Sequence, residues 1–122
     1  MSKKKTLVLG ATNNPSRFAF LAVGRLLKSG FDDIKAIGIK KGDVQGIPIE
    51  RSFGPEDNIH TITLYLNPSN QKQYYDQILE SDPKRIIFNP GTENPELQEL
   101  ANEAGIETIE ACTLVMLANG TY

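Results

Sequence analysis

Eight consecutive residues, Gly10-Ala11-Thr12-Asn13-Asn14-Pro15-Ser16-Arg17, bring together small, amide, hydroxyl and cationic groups. That mixture suits the holding of an anion. Gly10 lets the backbone turn sharply and approach a ligand closely. Thr12, Asn13 and Ser16 carry side-chain donors, and Arg17 carries a charge. If a helix starts here, its unpaired N–H groups and positive dipole end face the same point. A pyrophosphate fits such a loop. The plainer reading is a capped helix with Arg17 on its surface. A dinucleotide fingerprint would have two or three glycines here, and this loop has Gly10 alone.

Ile39-Lys40-Lys41 follows the second apolar run. NAD-binding domains usually place Asp or Glu there to bond both ribose hydroxyls. Two lysines instead favour a phosphorylated ribose, as in coenzyme A or NADP, unless they form only a solvated turn. Leu66-Asn67-Pro68, after the third apolar run, completes the candidate set. The other reactive residues point to packing. Cys112 and His60 are the single cysteine and histidine, so the chain offers no disulfide framework, no His/Cys metal set and no Ser-His-Asp arrangement. Tyr74 and Tyr75 stand four residues before Ile78 and Leu79, which is core spacing. Glu93, Glu96 and Glu99 read as a solvated helix face, so no acid–base pair is suggested.

These residues need positioning. Strands are predicted at Thr6–Leu9, Ile34–Ile39, Ile62–Leu66, Arg85–Phe88 and Glu107–Ile109. Helices are predicted at Pro15–Lys28, Asn70–Glu80, Pro95–Ala104 and Thr113–Ala118. Asn14 is the expected N-cap of the first helix, with Pro15 at its first position. Residues 42–51 read as a glycine-interrupted loop with a short extended piece at Ile47–Ile49. Alternating strands and helices imply one α/β domain over residues 1–122: a Rossmann-like, doubly wound, five-stranded parallel sheet of order 3-2-1-4-5. Ligands of such sheets sit at the carboxyl ends of the strands, at the reversal of strand order, here expected between strands 1 and 4. Asn-Pro occurs at Asn14-Pro15, Asn67-Pro68, Asn89-Pro90 and Asn94-Pro95. Each pair follows the first, third or fourth predicted strand and so falls on that edge.

A chain of 122 residues suits one core. With 39% hydrophobic and 23% charged residues and a net charge of -2, it is an ordinary globular composition without a general field for nucleic acid or an anionic membrane. The start, MSKKKTLVLGA, is basic then apolar, but the apolar part ends at Asn13-Asn14-Pro15, too soon for a secretory signal. A cytoplasmic protein is expected.

Taken together, "LVLGATNNPSR", "AIGIKKGDVQGIPI", "IIFNPGTENPELQELANEAGIETI" and "EACTLV" resemble the small stand-alone CoA-binding domain family. That family is similar to the N-terminal domain of the succinyl-CoA synthetase alpha subunit. Their order and spacing carry the resemblance over nearly the whole chain. Thr12 stands where the family usually has serine, Lys40-Lys41 where it commonly has Asn-Pro, and Ala111-Cys112 where it commonly has Arg-Cys. The resemblance implies a non-catalytic module that binds coenzyme A or an acyl-CoA. Gly10, Ala11, Thr12, Asn13, Pro15, Ser16 and Arg17 would hold the pyrophosphate. Ile39, Lys40 and Lys41 would border the adenosine and its phosphate, and Leu66, Asn67 and Pro68 would wall the other side. The synthetases' phosphohistidine domain has no counterpart here, so ligase activity is not implied. The alternatives are an NADP-binding oxidoreductase subunit and a regulatory or scaffold protein without nucleotide binding. Exposed helix faces would allow a homodimer, the commonest oligomer.

Overall fold

The computed structural model describes residues 4–122; Met1–Lys3 of the basic start lie outside them. Strand β1 (Thr6–Leu9) is followed by α1 (Phe18–Lys28), β2 (Ile34–Ile37), β3 (Asp43–Val44), β4 (Ile47–Glu50) and a 3-10 turn at Pro55–Asp57. Then come β5 (Thr61–Leu64), α2 (Pro68–Gln71), a second 3-10 turn at Lys72–Tyr74 and α3 (Tyr75–Ser81). The chain closes with β6 (Arg85–Phe88), α4 (Pro95–Glu103), β7 (Glu107–Glu110) and α5 (Thr113–Asn119).

The sheet is Rossmann-like, but it has seven strands where five were expected, in the order β3-β4-β2-β1-β5-β6-β7. All neighbours pair in parallel except β3 with β4. The extra pair is a hairpin within the expected loop. Gln45 and Gly46 turn it, with φ of 54° and 84°. Two central residues at positive φ give a turn whose twist matches paired strands. Through β4 the hairpin occupies the outer side of β2, the place expected for the Ile62 strand. That strand, β5, instead pairs directly with β1, Leu9 opposite Leu64. The order therefore reverses between β1 and β5, not between β1 and β6.

Side chains of successive strand residues face opposite ways. Leu7, Leu9, Ile62, Leu64, Ile86 and Phe88 pack under α3 and α4 with Ile78, Leu97 and Ala101. Val8, Ala36 and Ile87 pack under α1 and α5 with Ala19, Val23, Leu26 and Met116. β1, β5 and β6 are buried along their whole length, as the central strands of a doubly covered sheet should be. At the amino edge Tyr122 closes the second core: its ring meets Phe31 edge-on at 4.9 Å, lies 4.6 Å from the Arg85 guanidinium, and its hydroxyl bonds Thr6. Among the described residues no helix is long and apolar enough to cross a membrane.

Two helices differ from expectation. The first begins at Phe18, with Arg17 in the capping position. The Asn14 carboxamide oxygen instead accepts from the Ser16 N–H at 3.0 Å and the Ser16 hydroxyl at 2.8 Å, while the Asn14 N–H donates to the Thr12 hydroxyl at 3.2 Å. These short side-chain turns compete with the first turn of helix, so Pro15 lies in a turn before α1. The predicted Asn70–Glu80 helix starts earlier, at Pro68, and tightens at Lys72–Tyr74 before α3.

Candidate functional site

The strand ends are tied to one another at the carboxyl edge. The Gly10 and Ala11 N–H groups donate to the Ile37 carbonyl at 2.9 and 2.8 Å. The Gly38 N–H donates to Glu50 at 3.0 Å, and the Tyr65 N–H to Leu9 at 2.9 Å. The loops after β1, β2 and β5 thus continue the sheet by one more rung. Two glycines permit this approach. Gly10 has φ of 100°, and a Cβ there would lie 3.1 Å from the Leu66 side chain. A Cβ on Gly38 would lie 2.4 Å from the Ala11 carbonyl oxygen.

Above this seam lies a cleft of about 690 Å³, within the usual range for a small-molecule site. Gly10, Ala11, Thr12, Asn13 and Arg17 line it from the β1 loop, Ile39 and Lys40 from the end of β2, and Leu66 and Asn67 from the end of β5. Pro15, Ser16, Lys41 and Pro68 do not line it. Pro15 and Ser16 belong to the turn that leads into α1, and Pro68 opens α2.

Helix α1 enters the cleft uncapped. No side chain bonds its first N–H groups, and Arg17, Phe18 and Ala19 of that end line the cleft. The first N–H groups of a helix have no partner within it, so this end is a ready anion seat. Arg17 and Lys40 are the two cations of the lining, which carries no carboxylate, imidazole or thiol among the described residues. Tyr65 forms part of the floor. Burial pushes its phenol up to about 12, against the Thr63 and Thr113 hydroxyls that bond it, so the phenol is uncharged at neutral pH.

The opposite wall comes from residues not assigned to the site in advance. Asn70, Gln73 and Tyr74 follow β5, and Pro90, Gly91 and Thr92 follow β6. Asn89-Pro90 marks this second loop in the sequence, since the four Asn-Pro pairs do all follow β1, β5 or β6. Buried Asn89 fixes the loop. Its amide nitrogen donates to the Thr63 hydroxyl and the Leu64 carbonyl at 2.8 Å, and its amide oxygen accepts the Thr113 N–H at 2.8 Å. Buried Gln71 bridges the two loops by donating to the Leu66 and Thr92 carbonyls, both at 2.8 Å. Asn94 caps α4 through the Leu97 N–H at 3.2 Å and donates back to Gln71 at 2.9 Å. A polar network this fully satisfied makes its wall rigid.

Cys112 sits in the capping position of α5, partly buried and outside the cleft lining. His60 lies before β5, at the amino edge, with Nδ1 2.7 Å from the Thr61 hydroxyl. No group of metal-ligating side chains is present among the described residues.

The sequence profile of a family described as the CoA binding domain matches residues 4–118. The chain is similar to the crystal structure of an uncharacterized protein, 48% identical over the whole of both chains, with a TM-score of 0.94. It is also similar to a hypothetical protein from Pyrococcus horikoshii OT3, 26% identical over 96% of this chain and 83% of that one, with a TM-score of 0.87. A dinucleotide-forming acetyl-coenzyme A synthetase from Candidatus Korarchaeum cryptofilum shares the fold, at 16% identity and a TM-score of 0.70 over 89% of this chain and 26% of the synthetase. No curated protein matches the chain.

Proposed function

The chain belongs to the CoA binding domain family, and on that premise we propose that it binds coenzyme A or an acyl-CoA in the carboxyl-edge cleft without transforming it. One observation carries the reading. The uncapped start of α1 and the Gly10–Asn13 loop face a cleft whose lining holds donors and two cations but no carboxylate. That lining suits a polyanion. In this reading the pyrophosphate lies on the N–H groups at the start of α1, beside Thr12, Asn13 and Arg17. The adenosine lies toward Ile39 and Lys40. The pantetheine arm runs toward Gly91 and Thr92. The proposed role is that of a carrier or sensor, without chemistry on the thioester.

The test is thermal unfolding of the purified protein in concentration series of CoA, acetyl-CoA, dephospho-CoA, NADP and NAD. A ligand present at one hundred times its dissociation constant should add roughly 2.7 kcal/mol of stability. CoA or acetyl-CoA should stabilise at far lower concentration than NADP or NAD. No stabilisation by CoA or acetyl-CoA at millimolar concentration would overturn the reading.

A further inference from the structure

The β3–β4 hairpin has a consequence at the cleft. Because β4 pairs in parallel with β2, Ile37 opposite Glu50, the residue after β4 reaches the same edge as the residues after β2. That residue is Arg51. Its guanidinium Nη2 donates to the Ile39 carbonyl at 3.1 Å, and Ile39 lines the cleft beside Lys40. Arg51 is exposed, and a guanidinium has five N–H donors. Among the described residues no carboxylate forms an ion pair with Lys40, Lys41 or Arg51; the neighbouring Glu50 is drawn to Lys35, at 3.8 Å. The ends of β2 and β4 therefore carry three cations that form no ion pair among the described residues.

Building on the nucleotide reading above, we propose that Arg51 recognises the phosphomonoester on the ligand's ribose and so sets the preference for a phosphorylated over an unphosphorylated ribose. Arg51 does not itself line the cleft, but its bond to the Ile39 carbonyl holds the planar fork beside a residue that does. Its remaining donors match the geometry of a phosphate in a way a lysine ammonium cannot. Lys40 adds a second charge from the neighbouring strand end.

The experiment is calorimetric titration of CoA and dephospho-CoA into wild type, Arg51→Gln, Arg51→Lys and, as a remote control, Lys28→Gln. Wild type should prefer CoA. Arg51→Gln should lose about tenfold to hundredfold in CoA affinity, as expected for a charge-assisted bond, with dephospho-CoA changed less than about twofold. Arg51→Lys should recover part of the loss. An equal loss for both ligands, or no loss for CoA, would overturn the assignment while leaving CoA binding intact. Absence of binding of both ligands by wild type would instead refute the nucleotide reading and this assignment with it. Melting of each variant separates these outcomes from misfolding, since exposed Arg51 should leave the melting temperature unchanged.

Discussion

Gly38→Ala tests the seam on which the cleft rests. The added methyl would sit 2.4 Å from the Ala11 carbonyl oxygen and 3.0 Å from Ile49 Cγ2. Relief to ordinary contact requires about 1 Å of movement. The oxygen it meets is backbone, in a loop pinned by the Gly10 and Ala11 N–H bonds to Ile37, so no rotamer change can relieve it. Overpacking of this kind costs about 1–3 kcal/mol, and the rigid neighbour places the expected loss near 3 kcal/mol, or roughly 10 °C in melting temperature. Ligand affinity should fall as well, because the displaced loop is the one assigned to the pyrophosphate. Gly24→Ala is the paired control. Its Cβ would meet only Gln45 Nε2 at 3.5 Å within α1, so the melting temperature should rise, by about 0.5–1 kcal/mol of stability. Thermal denaturation with and without CoA reads both variants. Melting of Gly38→Ala within 1 °C of wild type, or tightened CoA binding in that variant, would refute the argument that close approach at Gly38 builds the site.

Combined Lys40→Ala and Lys41→Ala substitution should weaken CoA more than dephospho-CoA, and Lys40→Ala alone should carry most of the effect, because Lys41 does not line the cleft; titration of the two variants checks this. Asn89→Ala would leave the buried Thr113 N–H and Leu64 carbonyl without their partners and should cost about 3 kcal/mol, measured by urea unfolding. Asp57→Asn probes pH dependence. Burial alone would raise the Asp57 carboxyl, but the hydrogen bond and charge of Lys35 at 2.7 Å and the Gly54 N–H hold it below its ordinary value. Its contribution, about 1.5–3 kcal/mol for such bonds, is therefore present above the unfolded carboxyl pKa of about 3.9 and is lost as pH falls through the lower folded value. The gap between wild type and Asp57→Asn should be full at pH 7 and narrow as pH falls below about 4; a gap independent of pH would contradict the ion-pair account.

Where local signals agreed, the sequence was legible. β1, β6 and α4 follow from apolar runs bounded by Gly10, Asn94-Pro95 and Gly105, and the cleft loops of β1, β2 and β5 follow from small, amide and cationic residues after apolar strands. The hairpin was obscure because Gln45-Gly46 is a weak turn signal beside Asn-Gly or Asp-Gly, and because Pro48 suggests a loop. The hairpin places the Ile62 strand on the other side of β1 from that expected, since strand order depends on which edge is already occupied. The start of α1 was obscure for another reason: Asn14 has the right chemistry for a cap, but its oxygen is taken by Ser16. Gln71 and Asn89 were legible only as helix or turn residues, since their role arises from partners 21 to 26 positions away in sequence.

Strand β7 bears on how copies of this chain can meet. It is the outermost strand on its side, bonded to β6 alone, and it begins and ends with exposed glutamates, Glu107 and Glu110. If two copies joined their sheets by antiparallel pairing of β7 about a two-fold axis at its centre, Glu107 of each would face Glu110 of the other, and like charges directly opposite are unfavourable. The other border is β3, two residues long. Charge at one margin and brevity at the other are known defences against unwanted sheet growth. Both margins thus oppose edge-to-edge joining of two sheets.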